Sequence, residues 1–124
     1  MEYSIQKNIV SSEHRFVELD HPVKECIRVD HMLFLLIMPE DSNTTYPSNV
    51  ICVDLNTFKI TWRVDPGLYV MHPGPPNEMD MISNIIFDAD LNAVVCFPCD
   101  GPHIAIDPVD FAVIERKGAR WGLV

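Results

Sequence analysis

Ile51-Cys52-Val53-Asp54 recurs 53 residues later as Ile104-Ala105-Ile106-Asp107. In both places a phenylalanine stands four residues after the aspartate (Phe58, Phe111), with a β-branched residue two further on (Ile60, Val113). Each copy reads as a strand, an aspartate, a three-residue turn, a phenylalanine and a second strand. A carboxylate at a strand end can accept hydrogen bonds from amides of the turn it opens, so Asp54 and Asp107 are expected to be structural. Two further strand signals precede each copy, at 25–30 and 32–38 and at 83–88 and 93–98. An internal repeat of this kind limits the chain to two copies of one unit, here a four-stranded antiparallel meander.

Local patterning agrees with that restriction. In "FKITWRV", Phe58, Ile60, Trp62 and Val64 alternate with Lys59, Thr61 and Arg63, the period-2 pattern of a half-buried antiparallel strand. "MLFLLIM" (32–38) and "AVVCF" (93–97) are apolar on both faces and suit strands covered on both sides. The separators "DLNT", "DADLN", "CDGP" and "DPVD" have hairpin length and turn chemistry. The expected fold is all-β, with two consecutive antiparallel meanders of about four strands packed as a β-sandwich or a strongly bent sheet, and little helix. One domain over 1–124 is expected, with a first meander at about 14–64, a connecting loop 65–81, a second meander 82–117 and a tail 118–124.

With 48% apolar and 22% charged residues the chain should bury a core without disulfide staples. The N-terminus lacks the basic and apolar blocks of a signal peptide, and the longest apolar run is too short to span a bilayer. A cytoplasmic protein with four reduced cysteines is expected, with no membrane contact.

The net charge of −9 is unevenly distributed. Asp65, Glu78, Asp80, Asp88, Asp90, Asp100, Asp107, Asp110 and Glu115 fall in one window that contains no Lys or Arg. Such a field repels phosphates, which argues against nucleic acid as a direct partner. It either serves solubility or attracts a basic partner. Asp65, Tyr69, Glu78, Asp80, Asp88, Asp90 and Asp100 are the candidate partner-binding residues. Within "DPGLYVMHPGPPNEMDM" (65–81), Tyr69 and Met71 could anchor a partner inside an acidic rim, or could pin the loop onto the sheet. Trp121, in the tail, should tuck against the body or contact a partner.

Two resemblances carry further implications. "VICVDLNTFKITWR" resembles a blade motif of quinoprotein-like propellers, with Asp54, Thr57 and Trp62 at matching places and Phe58 where the motif has a turn glycine. In the second copy Asp107 is kept, while Asp110, Phe111 and Glu115 stand for Thr, Gly and Trp; two blades cannot close a ring. His21-Pro22, Asn49-Val50, Asp54, Trp62-Arg63, Ile106-Asp107 and Arg116-Lys117 together resemble bacterial immunity proteins of polymorphic-toxin and contact-dependent growth inhibition systems. That resemblance implies a non-enzymatic cytoplasmic inhibitor of a cognate toxin domain, commonly a nuclease, whose basic groove an acidic surface would occlude.

Chemical alternatives centre on "CFPCDGPH". Cys96 and Cys99 have metal- or redox-type spacing, and His103 follows four residues after Cys99, so a small metal- or thiol-dependent protein using these three residues is the alternative function. On a continued strand Cys96 and Cys99 point to opposite faces, which favours a structural role. No serine sits in a nucleophile elbow, no glycine-rich loop could cradle phosphate, and Asp88 and Asp90 bracket a turn where aspartate is favoured anyway. The chain is therefore read as a non-enzyme without cofactor or metal.

Overall fold

A computed structural model describes residues 2–41, 45–77 and 79–117. The first meander consists of β4 (Val23–Val29), β5 (Met32–Ile37), β6 (Val50–Asp54) and β7 (Lys59–Arg63), hydrogen-bonded in chain order. The second, β8 (Ile82–Asp88), β9 (Ala93–Pro98), β10 (His103–Ile106) and β11 (Val113–Lys117), repeats that order. Both are antiparallel throughout, and the single helical element described is a 3-10 turn at Pro66–Leu68. The chain is all-β, as its alternation predicts.

The N-terminal residues depart from expectation. The first meander does not begin near residue 14. Instead β1 (Ser4–Gln6), β2 (Ile9–Ser11) and β3 (Phe16–Glu18) form a separate three-stranded sheet. Its inner residues Ile5, Val10 and Val17 lie opposite one another and close over Leu33, Leu35, Ile51 and Val53 of the first meander.

Side-chain alternation assigns each meander two faces. Ile27, Phe34, Cys52 and Trp62 are cross-strand partners on what we call the front of the first sheet. With Leu36, Val50 and Val64 they pack on Ile82, Ile85, Val94, Cys96, Ile104 and Ile106 of the second sheet. Each large apolar side chain so buried stabilises the fold by about 1.5–3 kcal/mol, which makes this inter-sheet layer a dominant favourable contribution. The back of the first sheet faces the N-terminal sheet, giving three stacked layers.

The 53-residue echo fixes how the layers stack. At that offset Cys52 and Trp62 of the front row correspond to Ala105 and Glu115, and strand pairing then sets Val95 and Ile86 in the places of Phe34 and Ile27. Yet the second sheet turns the opposite row, Ile85–Cys96–Ile104, toward the first. The two meanders therefore stack front to back, in the same sense, like successive blades. A two-fold sandwich would instead bring equivalent faces together.

Local chemistry explains the turns. Asp54 accepts a hydrogen bond from the Asn56 N–H at 2.8 Å, and Asp107 accepts from Val109 at 2.8 Å and Asp110 at 3.3 Å. Phe58 and Phe111 both adopt left-handed backbone conformations (φ +56° and +63°), the geometry for which a turn glycine is suited. Packing holds them there: Phe58 is buried, and Phe111 stacks on Trp62 with ring centroids 5.6 Å apart. A register shift opposite Cys52/Val53 splits the apolar face predicted for 58–64. Phe58 joins the back cluster, Trp62 and Val64 join the front, and Ile60 is left exposed, because an inserted residue inverts the pleat.

Candidate interaction surface

The connection 64–81 crosses from β7 to β8 at one end of the stacked sheets, while the β8–β9 and β10–β11 turns lie at the other. Six residue steps along β8 separate these ends by about 20 Å. The seven candidate partner-binding residues are therefore split. At the near end Asp65 is exposed and caps the 3-10 turn by accepting from the Gly67 N–H at 2.8 Å, and Asp100 is exposed on the β9–β10 turn. Asp88 and Asp90 lie at the far end, where Asp88 accepts from the Asp90 and Leu91 amides. Glu78 lies outside the described residues.

Tyr69 and Asp80 require correction as partner contacts. Tyr69 is 0% exposed, in the inter-sheet core, and Asp80 is 2% exposed. The connection is pinned inward by its own aromatic group and leaves Met71 at the surface. Tyr69 accepts a hydrogen bond from the Ser48 N–H at 3.0 Å, and burial pushes its phenol up to about 12.

Asp80 has an internal role. One of its oxygens accepts from the Asn77 N–H at 2.7 Å and lies 2.6 Å from His72 Nε2, while His72 Nδ1 lies 2.9 Å from the Pro73 carbonyl oxygen. A doubly protonated ring donates to both partners. The Pro73 carbonyl and then the Asp80 carboxylate accordingly raise the His72 pKa above its ordinary value. The sign follows from linkage: the stabilisation is complete below about pH 6.5, the unfolded value, and is lost as pH rises through the higher folded value. In urea unfolding, wild type should lose stability relative to His72→Gln as pH rises above about 6.5, the unfolded value. A difference between the two proteins that stays constant with pH would show that the ring does not titrate in this pair.

The cysteine alternative finds no common site. Cys96 is buried between the sheets, and desolvation pushes its thiol up to about 12. His103 sits on the opposite face, edge-on to Phe97 at 4.4 Å, and Cys99 is exposed beyond the strand end. Among the described residues no cluster of three His, Cys, Asp or Glu side chains is placed to hold a metal ion.

Among the described residues no element packs over the front of the second sheet, which is one of the two outer faces of the three-layer stack. Its apolar strip, Ile86–Val95–Ala105, floors a depression of ≈170 Å³. The next row runs from Asn84 through Phe97 and His103 to Lys117, and Asp88 and Glu115 complete the rim. Ile86 and Leu91 remain 43% and 37% exposed. Of these residues the sequence reading proposes only Asp88 as a partner contact; His103 enters as part of the metal- or thiol-dependent alternative, and Glu115 and Lys117 only through the acidic window and the immunity-protein resemblance, but the signal for a shared face is present in the echo. At the fixed offset, front residues Val50, Cys52, Trp62 and Val64 become His103, Ala105, Glu115 and Lys117, whereas back residues Ile51, Val53 and Arg63 become Ile104, Ile106 and Arg116. The second copy keeps the face it buries and makes the other smaller or more polar.

No family model, curated protein or solved structure matches this chain. Among the described residues no helix is long and apolar enough to cross a membrane.

Proposed function

We propose that this chain is a non-enzymatic immunity-type inhibitor that acts in the cytoplasm by binding a cognate toxin domain, most readily a nuclease, and occluding its basic active-site groove. The observation that carries this reading is a coincidence of charge and architecture. The window 65–115, with nine acids and no Lys or Arg, comprises the connection and nearly all of the second meander, whose front no other element covers among the described residues. Turn capping leaves part of those carboxylates open, since Asp88 and Asp107 each engage turn amides through one oxygen. A nuclease must present cations to bind a phosphate backbone, and carboxylates facing those cations compete for them and accelerate encounter. The metal- or thiol-dependent alternative lacks a comparable observation, because Cys96 and His103 occupy opposite faces.

The reading is tested at the gene neighbourhood and then in cells. An immunity gene should lie immediately downstream of a toxin reading frame, and co-expression should restore growth through a stoichiometric complex. Triple reversal of Asp88, Asp90 and Asp110 to lysine should slow association at low salt at least tenfold, with a smaller effect at high salt. A neighbouring toxin frame that is missing, or protection that persists far below stoichiometric amounts, would count decisively against a binding inhibitor.

A further inference from the structure

We infer that the uncovered front of the second sheet, together with the acidic turns at its far end, is the docking face, and that it takes a protein surface projecting an apolar side chain flanked by Lys or Arg. The inference rests on the inhibitor reading and assigns it a place and a chemistry. The connection 65–81, which the sequence suggested, is displaced from that role because its anchor Tyr69 is fully buried.

Three observations converge. First, the front of the first sheet receives the back of another sheet, whereas no described element covers the register-equivalent front of the second, where Ile86 is exposed and the side chains of the neighbouring rows leave Val95 and Ala105 8% and 4% exposed. The strip Ile86–Val95–Ala105 keeps an apolar floor, and the ≈170 Å³ depression has room for one large side chain rather than for a continuous core layer. Second, the rim and the turns beside it carry a net negative charge. Asp88, Glu115, His103 and Lys117 border the depression, Glu115 and Lys117 pairing at 3.3 Å, and the surplus of carboxylates comes from Asp88 with Asp90 and Asp110 in the adjoining turns. A second copy would set this acidic face against another chain that also carries net charge −9, so like-charge repulsion disfavours self-association.

Third, the area sets how far contact must extend. Four strands at about 4.8 Å spacing and about 17 Å length give roughly 300 Å², against about 800 Å² per partner for a standard interface. The far-end turns are the adjoining surface that can supply the rest. They expose Leu91 and, at 74%, Val109 beside Asp90 and Asp110. At the place of Val109 the first copy has the polar Asn56. An apolar centre ringed by carboxylates complements an apolar anchor ringed by cations.

The test uses the full chain, labelled with ¹⁵N, and two blocked tetrapeptides, Arg-Trp-Leu-Arg and the charge-reversed Glu-Trp-Leu-Glu. The basic peptide should shift the amide signals of Ile86, Val95, Phe97 and Ala105 saturably, and the acidic peptide should bind at least tenfold more weakly. The double variant Ile86→Lys, Glu115→Lys should lose the response while keeping the wild-type melting temperature; Glu115→Lys alone, with its carboxylate at the rim, serves if the pair is unstable. Equal response to both peptides, shifts centred on 65–81, or concentration-dependent self-association through these same residues would overturn the assignment. A toxin complex that forms unchanged with the double variant would remove the docking face and leave the inhibitor reading intact. The expected peptide response without neutralisation of any neighbouring toxin would do the reverse.

Discussion

Replacing Asn49 with alanine should lower the unfolding free energy by about 4 kcal/mol, a large fraction of the roughly 5–15 kcal/mol that holds a small domain together. Asn49 is fully buried and ties the two meanders through polar contacts. Its Nδ2 donates to the Ile37 carbonyl at 3.2 Å and to the Ile82 carbonyl at 2.8 Å, while its Oδ1 accepts from the Ile82 N–H at 2.8 Å. Both backbone groups of the first residue of β8 are thus satisfied by one side chain from the first sheet. Alanine leaves those groups in an apolar layer without a partner, and each orphaned polar group costs about 1–3 kcal/mol. Asn49→Asp should be no better tolerated, because it brings a buried carboxylate toward two carbonyl oxygens. Urea unfolding followed by circular dichroism gives the free energy directly. A loss below about 1 kcal/mol would mean that the two sheets are held by apolar contact alone.

The sequence shows where Asn49 sits but not what it does. Its neighbour Val50 opens a legible strand, whereas the groups it serves on Ile82 lie 33 residues away and become partners once the sheets stack. The eight meander strands were readable because alternation, turn chemistry and the repeat all point to the same places: 25–30 against Val23–Val29, 32–38 against Met32–Ile37, 83–88 against Ile82–Asp88 and 93–98 against Ala93–Pro98. The N-terminal sheet was not, since strands of three residues such as "SIQ" and "FVE" are too short to display a period. Stacking sense was also hidden: two amphipathic meanders can bury their apolar faces front to front or front to back, and patterning alone permits both. Once the order of faces is known, the substitutions of Trp62 by Glu115 and Val50 by His103 across the repeat mark the uncovered side. The acidic window was legible as charge, but its residues fall at two ends of the sheet about 20 Å apart, a division that composition cannot express.

Replacing Tyr69 with alanine should destabilise the fold by about 4 kcal/mol, and replacing it with phenylalanine by about 1–2 kcal/mol. The larger value reflects removal of a fully buried aromatic ring from the layer shared by the two sheets, leaving a cavity that close neighbours cannot fill. Those neighbours have little freedom to move: at Gly101, with φ +130°, an added Cβ would lie 2.4 Å from the Tyr69 carbonyl oxygen, so the β9–β10 turn already presses on the tyrosine backbone. The smaller value isolates the hydroxyl. It accepts from the Ser48 N–H at 3.0 Å, and Ser48 itself is held at φ +63°, so phenylalanine leaves a strained residue with an unpaired amide. Because burial pushes the phenol up to about 12, the hydroxyl stays protonated and the Tyr69→Phe difference should be flat between pH 6 and 9. These outcomes separate two roles for the same residue. A partner-binding anchor would leave the urea midpoint unchanged on truncation and weaken the complex, whereas a core pin shifts the midpoint and affects binding only to the extent that the folded fraction falls. The fully buried ring predicts the second result, and an unshifted midpoint for Tyr69→Ala would return the 65–81 connection to consideration as a contact surface.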